Sequence, residues 1–271
     1  MSEISIDRAM RLPGAALRPF IACYGGYQID GLPPGIMRGL PSRHVTLMIG
    51  LGDGFAIKGA GVRQSFVGGL HDAAAVVERA PTAFGIKLPL TPLGVRTLLG
   101  VPAAELASRV FELREVLGFR ASELEERLRG EPGWTRRFDI LDEVFARDLG
   151  EWSAPQELLW AWHKLIAHRG CHRIDALADE IGWSRRHFTQ RFDAEFGVTP
   201  KTMARIVRFE NACAMIKRTR PALAQVAASC GYHDQAHMTR EWHALAGCSP
   251  RIWIAEELPF VQDYELAALD D

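Results

Sequence analysis

The sequence repeats itself once between Ile174 and Pro250, and that repeat restricts the fold more than any other feature. From Ser184 and Asp234 onward the two copies keep a constant offset of 50 residues. His187 falls on His237, Phe188 on Met238, Thr189 on Thr239, Phe192 on Trp242, Gly197 on Gly247 and Pro200 on Pro250. A unit that recurs at fixed spacing is one supersecondary element used twice, so this half of the chain has to accommodate two similar small bodies.

Each copy spells helix, tight turn, helix. Ile174, Leu177, Ala178 and Ile181 in the first copy, and Leu223, Val226, Ala227 and Cys230 in the second, have helical spacing with a small residue where two helices cross. Gly182 or Gly231 then supplies the positive φ that ends a helix. Ser184 and Asp234 follow as N-caps for the next helix. Inside that helix Phe188 and Phe192, or Met238 and Trp242, lie four apart and point inward. Arg185, Arg186, Thr189 and Gln190 are left outside in copy one, and Gln235, Ala236, His237 and Arg240 in copy two. A second helix that turns such a face outward is what a helix-turn-helix lays in the DNA major groove.

The run Leu177-Ala178, Gly182, Ser184, Phe188, Arg191-Phe192, Gly197, Thr199-Pro200, then Gly231-Tyr232, Asp234, His237, Arg240 and Gly247-Cys248-Ser249-Pro250, resembles the AraC/XylS family of bacterial transcription regulators. The likeness covers about a hundred residues, from Pro155 to Trp253. Met238, Trp242 and Trp253 depart from the aromatic residues usual there, which alters core volume but no DNA-facing position. The resemblance implies a regulator, most often an activator, that binds promoter DNA and works with RNA polymerase. It also implies an N-terminal domain of cupin-like type that senses a small molecule, dimerises, or both.

Charge agrees with a polyanion partner. The chain carries a net −1, yet residues 156–255 hold 14 Lys/Arg against 9 Asp/Glu, and seven of the nine histidines lie there. Residues 1–155 balance at 18 and 18, and residues 256–271 hold six acids and no base. That last stretch reads as a solvated acidic tail that could lie against the basic half and weaken non-specific DNA binding. The cysteines, Cys23, Cys171, Cys213, Cys230 and Cys248, are odd in number and scattered, as expected of reduced thiols in a cytoplasmic protein. No long uncharged apolar run is present to span a membrane.

Residues 1–100 alternate short strand signals with Gly/Pro turns. Ile21–Tyr24, His44–Ile49, Phe55–Lys58, Val62–Val67 and Phe84–Leu90 are the candidate strands, and their number predicts a small barrel or sandwich. Arg43, His44 and His71 are the candidate effector-binding residues. His44, His71 and Asp72 are the residues that could ligate a metal, but they lack the clustered spacing of a metal site, so no metal and no cofactor is expected. Residues 101–150 change to helical period. Leu106, Val110, Leu113 and Leu117 predict one helix ending at Gly118, Ser122 to Gly130 a second, and Thr135 to Leu149 a third, either covering the barrel or pairing in a homodimer. Asp148 to Pro155 reads as a short linker.

The expected architecture is α+β: a small cupin-like β-barrel (1–100), accessory helices (101–150), an all-α domain of two helix-turn-helix units joined by a linker helix (155–255), and the tail (256–271). Arg185, Arg186, Thr189, Gln190, Gln235, Ala236, His237 and Arg240 are assigned to base reading. Ser184, Lys201, Arg205 and Asp234 are assigned to the DNA backbone. The matched pair His187 and His237 also fits a structural role, and Arg191, beside Phe192, an internal ion pair. Three rivals are weaker. A cupin-type metalloenzyme lacks a ligand set, and a thiolate-zinc repair protein is excluded by Cys23 being the only cysteine before Cys171. The third, a constitutive DNA-binding protein whose first half only dimerises, differs by lacking an effector.

Overall fold

The computed structural model describes residues 4–147, 149 and 155–257. Ten strands come first: β1 (Ser5–Arg11), β2 (Tyr24–Asp30), β3 (Gly35–Gly39), β4 (Val45–Gly50), β5 (Phe55–Ile57), β6 (Gly61–Arg63), β7 (Phe66–Gly68), β8 (Ala75–Arg79), β9 (Thr82–Leu90) and β10 (Val110–Glu112). They form two antiparallel sheets, ordered β1-β2-β9-β4-β7-β10 and β3-β8-β5-β6. The expected barrel is therefore not closed. The larger sheet ends on β1 and β10 and the smaller on β3 and β6, so its N-terminal half is a pair of open sheets. The alternation in β4 is as the sequence predicts: Val45, Leu47 and Ile49 are fully buried and pair across to Leu90, Leu88 and Ile86.

Helices close what the strands leave open. A short turn, α1 (Pro92–Gly94), runs into a π-helical turn over Val95–Leu99, followed by α2 (Ala103–Leu106), α3 (Leu113–Leu117), α4 (Phe119–Arg129) and α5 (Trp134–Ala146). Trp134 lies flat on β2 at Gly26, where an added Cβ would come within 2.3 Å of the indole. The single helix expected from Leu106 to Leu117 is interrupted. Ser108 takes a positive φ of 56°, and Val110–Glu112 pair with β7. Leu106 and Leu113 do reach the same core, but from separate elements.

The C-terminal half is helical: α6 (Gln156–Ala167), α7 (Ile174–Glu180), α8 (Arg185–Phe196), α9 (Pro200–Thr219), α10 (Leu223–Ser229), α11 (Gln235–Ala246) and α12 (Pro250–Glu256). One hydrophobic core runs from Leu17 to Trp253 through both halves. Three arginines of the N-terminal half fasten onto glutamates of the helical half. Arg96 forks onto Glu195 of α8 at 3.0 and 2.7 Å, Arg43 meets Glu210 of α9 at 3.8 Å, and Arg38 pairs with Glu257 and lies 3.6 Å from Glu256. Gly197, at φ 75°, lets α8 end against α2, where a Cβ would sit 2.3 Å from Cβ of Ala107. Of the expected solvated tail, Glu256 is exposed at the end of α12, whereas Glu257 is buried at the junction. Residues 258–271 lie outside the described residues, as do all but Leu149 and Pro155 of the expected linker.

Candidate nucleic-acid interface

Both recognition helices start where the sequence caps them. The Ser184 hydroxyl accepts the His187 N–H at 3.3 Å, and the Asp234 carboxylate accepts the His237 N–H at 2.6 Å. That bond, with His233 at 3.1 Å, holds the Asp234 carboxyl below its usual range. Gly182 and Gly231 precede them at φ 72° and 76°, a left-handed turn that side chains resist. Inward, Phe188, Phe192 and Phe196 meet edge to face in series, the last two against Trp162 of α6, while Trp242 meets Phe209 of α9 at 4.8 Å and Trp253 of α12 at 5.4 Å. Burial of these faces leaves the other face of each helix in solvent.

On that outer face Arg185, Arg186 and Gln190 are exposed on α8, and Gln235, Ala236 and Arg240 on α11, with Thr189 and Thr239 half-buried. Arg191 is exposed as well and has no ion-pair partner among the described residues, so it belongs with the outward cations instead of an internal pair. His237 is turned to its own chain. Its Nδ1 accepts the His233 N–H at 3.3 Å and its Nε2 faces Glu241 at 3.5 Å, which occupies both ring nitrogens in bracing the turn. His187 packs edge-on against Trp183, the structural alternative for the matched histidines. Arg205 is likewise turned inward, its Nε 3.2 Å from Glu241, a partner 36 positions away that helical periodicity on α9 could not disclose. Lys201 stays exposed. With Arg173, Arg185 and Arg208 it rims an open recess of about 310 Å³ beside the start of α8. Arg173 had no signal in the repeat, because copy two has Ala222 near that place.

The candidate effector residues do not converge. Arg43 is spent on Glu210, and His71 spans the carbonyls of Gly69 and Gly39 at 2.9 and 3.3 Å. His44 is half-buried immediately before β4, with its Nδ1 shut off from solvent and without a hydrogen-bond partner. The cleft between the sheets is lined instead by Tyr27, Leu32, Met37, Phe55, Arg79 and Glu257, with about 50 Å³ of room. Among the described residues no three His, Cys, Asp or Glu side chains gather as for a metal. No helix there is long and apolar enough to cross a membrane.

Burial, helped by Arg43 and Lys87, pushes the His44 imidazole down to about 3. An unfolded histidine titrates near pH 6.5. Between those values the unfolded chain binds the extra proton, so this contribution is complete above about pH 6.5 and is lost as the pH falls toward 3, at no more than about 1.4 kcal/mol per pH unit. Urea midpoints measured from pH 7.5 to 4.5 should therefore decline more steeply for the natural chain than for His44→Gln. Parallel curves would show that the imidazole is not held neutral.

Comparison with known proteins agrees with this geometry. Residues 177–256 match the family described as a helix-turn-helix domain. No curated protein sequence matches the chain. Among solved structures, an apo variant of ToxT from Vibrio cholerae is similar at a TM-score of 0.51 and 10% identity, over 90% of this chain and 99% of that one. A second ToxT structure from the same organism gives 0.48 and 9%, over 94% and 98%. At such identity the first likeness concerns the fold alone.

Proposed function

We propose that this chain, whose residues 177–256 form an AraC-type helix-turn-helix domain, is a DNA-binding transcription regulator that reads two successive major grooves and acts by binding, not by catalysis. One observation carries the reading. Both recognition helices pack on α9, a single helix of 20 residues, about 30 Å long at 1.5 Å per residue. That is close to the roughly 34 Å between successive major grooves on one face of DNA. Arg185, Arg186 and Gln190 supply forked donors for guanine and amide pairs for adenine in the first groove, and Gln235 and Arg240 do so in the second. Lys201, at the recess, serves the phosphates.

The N-terminal half acts on this reader as a cytoplasmic sensor. Its inter-sheet cleft includes Glu257, the partner of Arg38, so a small molecule that parts the sheets to enter disturbs a tie to the DNA-binding half. The reading includes a homodimer, for which the Phe119 ring, 82% exposed at the start of α4, is the side chain to substitute first. Activation through RNA polymerase completes the reading. Selection of binding sites from a random duplex pool by the full-length chain tests it. Two short preferred blocks about one helical turn apart are expected; retention of DNA with no consensus would reduce the protein to a basic DNA coat. A ligand that raises the melting temperature separates a sensor from a constitutive binder.

A further inference from the structure

The duplication breaks at one instructive position. Fifty residues on from Arg191 comes Glu241, so an exposed cation on the first recognition helix is replaced on the second by an acid. Glu241 is turned inward, its side chain only 14% exposed. Its carboxylate meets Arg205 Nε at 3.2 Å and Arg208 Nη2 at 3.2 and 3.4 Å, with His237 Nε2 at 3.5 Å. Arg208 then reaches the other way. Its Nη1 donates to the Gly170 carbonyl at 2.9 Å, in the turn that leads into the first unit, and its guanidinium lies 5.7 Å from the centre of the Tyr232 ring, in the turn of the second. One side chain on the linker helix thus grips the turn of one reader and the recognition helix of the other.

Two glycines bring the chain close on either side of that grip. A Cβ on Gly170 would come within 2.2 Å of the Ala204 carbonyl oxygen, and one on Gly231 within 2.3 Å of the Cys171 sulfur. The two units therefore touch backbone to side chain at the junction, and the Arg208 fork fixes how they are turned. A planar fork with several fixed donors transmits orientation, where a flexible ammonium would only attract.

We propose that the Arg208–Glu241 junction sets the distance and angle between the two recognition helices, and so selects the number of base pairs separating the two half-sites. Both are positioning residues that specify spacing without touching DNA. The inference rests on the two-groove reading above. Each base pair inserted between half-sites moves the second by about 3.4 Å and turns it by about 35°, so a rigid pair of readers must discriminate sharply between spacings.

The experiment uses the full-length chain and the two blocks that it selects, resynthesised with the spacing altered by one or two base pairs either way. The natural chain should lose about tenfold in affinity per base pair of displacement, the scale of losing one well-made base contact. Glu241→Gln and Arg208→Ala should lower that penalty to about two- to threefold, while binding to either block alone stays unchanged. Arg208→Lys, which keeps the charge without the fork, should fall between, and with Glu241→Gln it carries the test if Arg208→Ala does not fold. Variants that lose the same factor at every spacing, or that keep the full penalty, would overturn the proposal. A natural chain that selects no two-block site would instead sink the reading beneath it.

Discussion

Trp242→Ala is expected to lower the melting temperature of the full-length chain more than any single change on the DNA-facing surface. The indole is fully buried, with its edge against Phe209 of the linker helix and against Trp253 of α12, so its removal opens a cavity where three helices meet. Aromatic-to-alanine changes in a core cost about 3–5 kcal/mol, and each kcal/mol lowers the melting temperature of a domain this size by roughly 2–4 °C. Calorimetry should therefore show a fall of between about 6 and 20 °C. The repeat supplies its own control, since Phe192 fills the matching place in the first unit. Trp242→Phe should recover most of the loss, more so because the indole N–H is buried without an acceptor. Equal falls for the two variants would mean that the site needs the tryptophan shape and is not the repeat's generic core position.

The contrast between those two aromatic positions shows how much of the molecule was legible beforehand. Caps, turns and inward residues of both units lie within a dozen positions of one another, so local spacing disclosed them: Ser184, Gly197, Thr199 and their copies do what their residue types predict. Strands β4 and β9 were legible for the same reason, an alternation confined to one segment. The edge strand β1 was not, because Ile6 and Met10 lie largely exposed among charged residues and carry no buried face. Nor was the break at Ser108, since Leu106 and Leu113 meet the core at helical spacing without sharing a helix.

Ion pairs were the least legible part of the site. Arg43 meets Glu210 across 167 positions and Arg96 meets Glu195 across 99, and a sequence gives no cue for such meetings. Arg205 looked like a phosphate contact because its helix face is basic, whereas its partner comes from α11. One sign was available: the offset that equates the two recognition helices sets an arginine at 191 against a glutamate at 241. A reversal of charge inside a repeat marks a position where the copies have different neighbours. Those neighbours divide the outward cations into readers and braces, and mutation can separate the two.

Arg186→Ala should relax sequence preference in the first block without removing DNA binding. Arg186 and Gln190 stand one turn apart on the exposed side of α8, behind a cap that points the start of the helix at its target. Arginine forks onto guanine O6 and N7, and such a pair discriminates by about 1–3 kcal/mol, or roughly 5- to 150-fold. Affinity for the selected site should fall by that factor, and affinity for a duplex altered in the first block should hardly move, so the two converge. Lys201→Ala should behave in the opposite way. A phosphate contact carries no base information, so its loss should weaken all duplexes alike and reduce the slope of log affinity against log salt by about 1. Arg191, exposed on the same helix and without an ion-pair partner among the described residues, should follow Lys201 if it meets phosphate and Arg186 if it meets a base. Measured over a panel of single-base variants at two salt concentrations, an Arg186→Ala profile parallel to that of the natural chain would show that α8 grips DNA without reading it, and would leave sequence recognition to α11 alone.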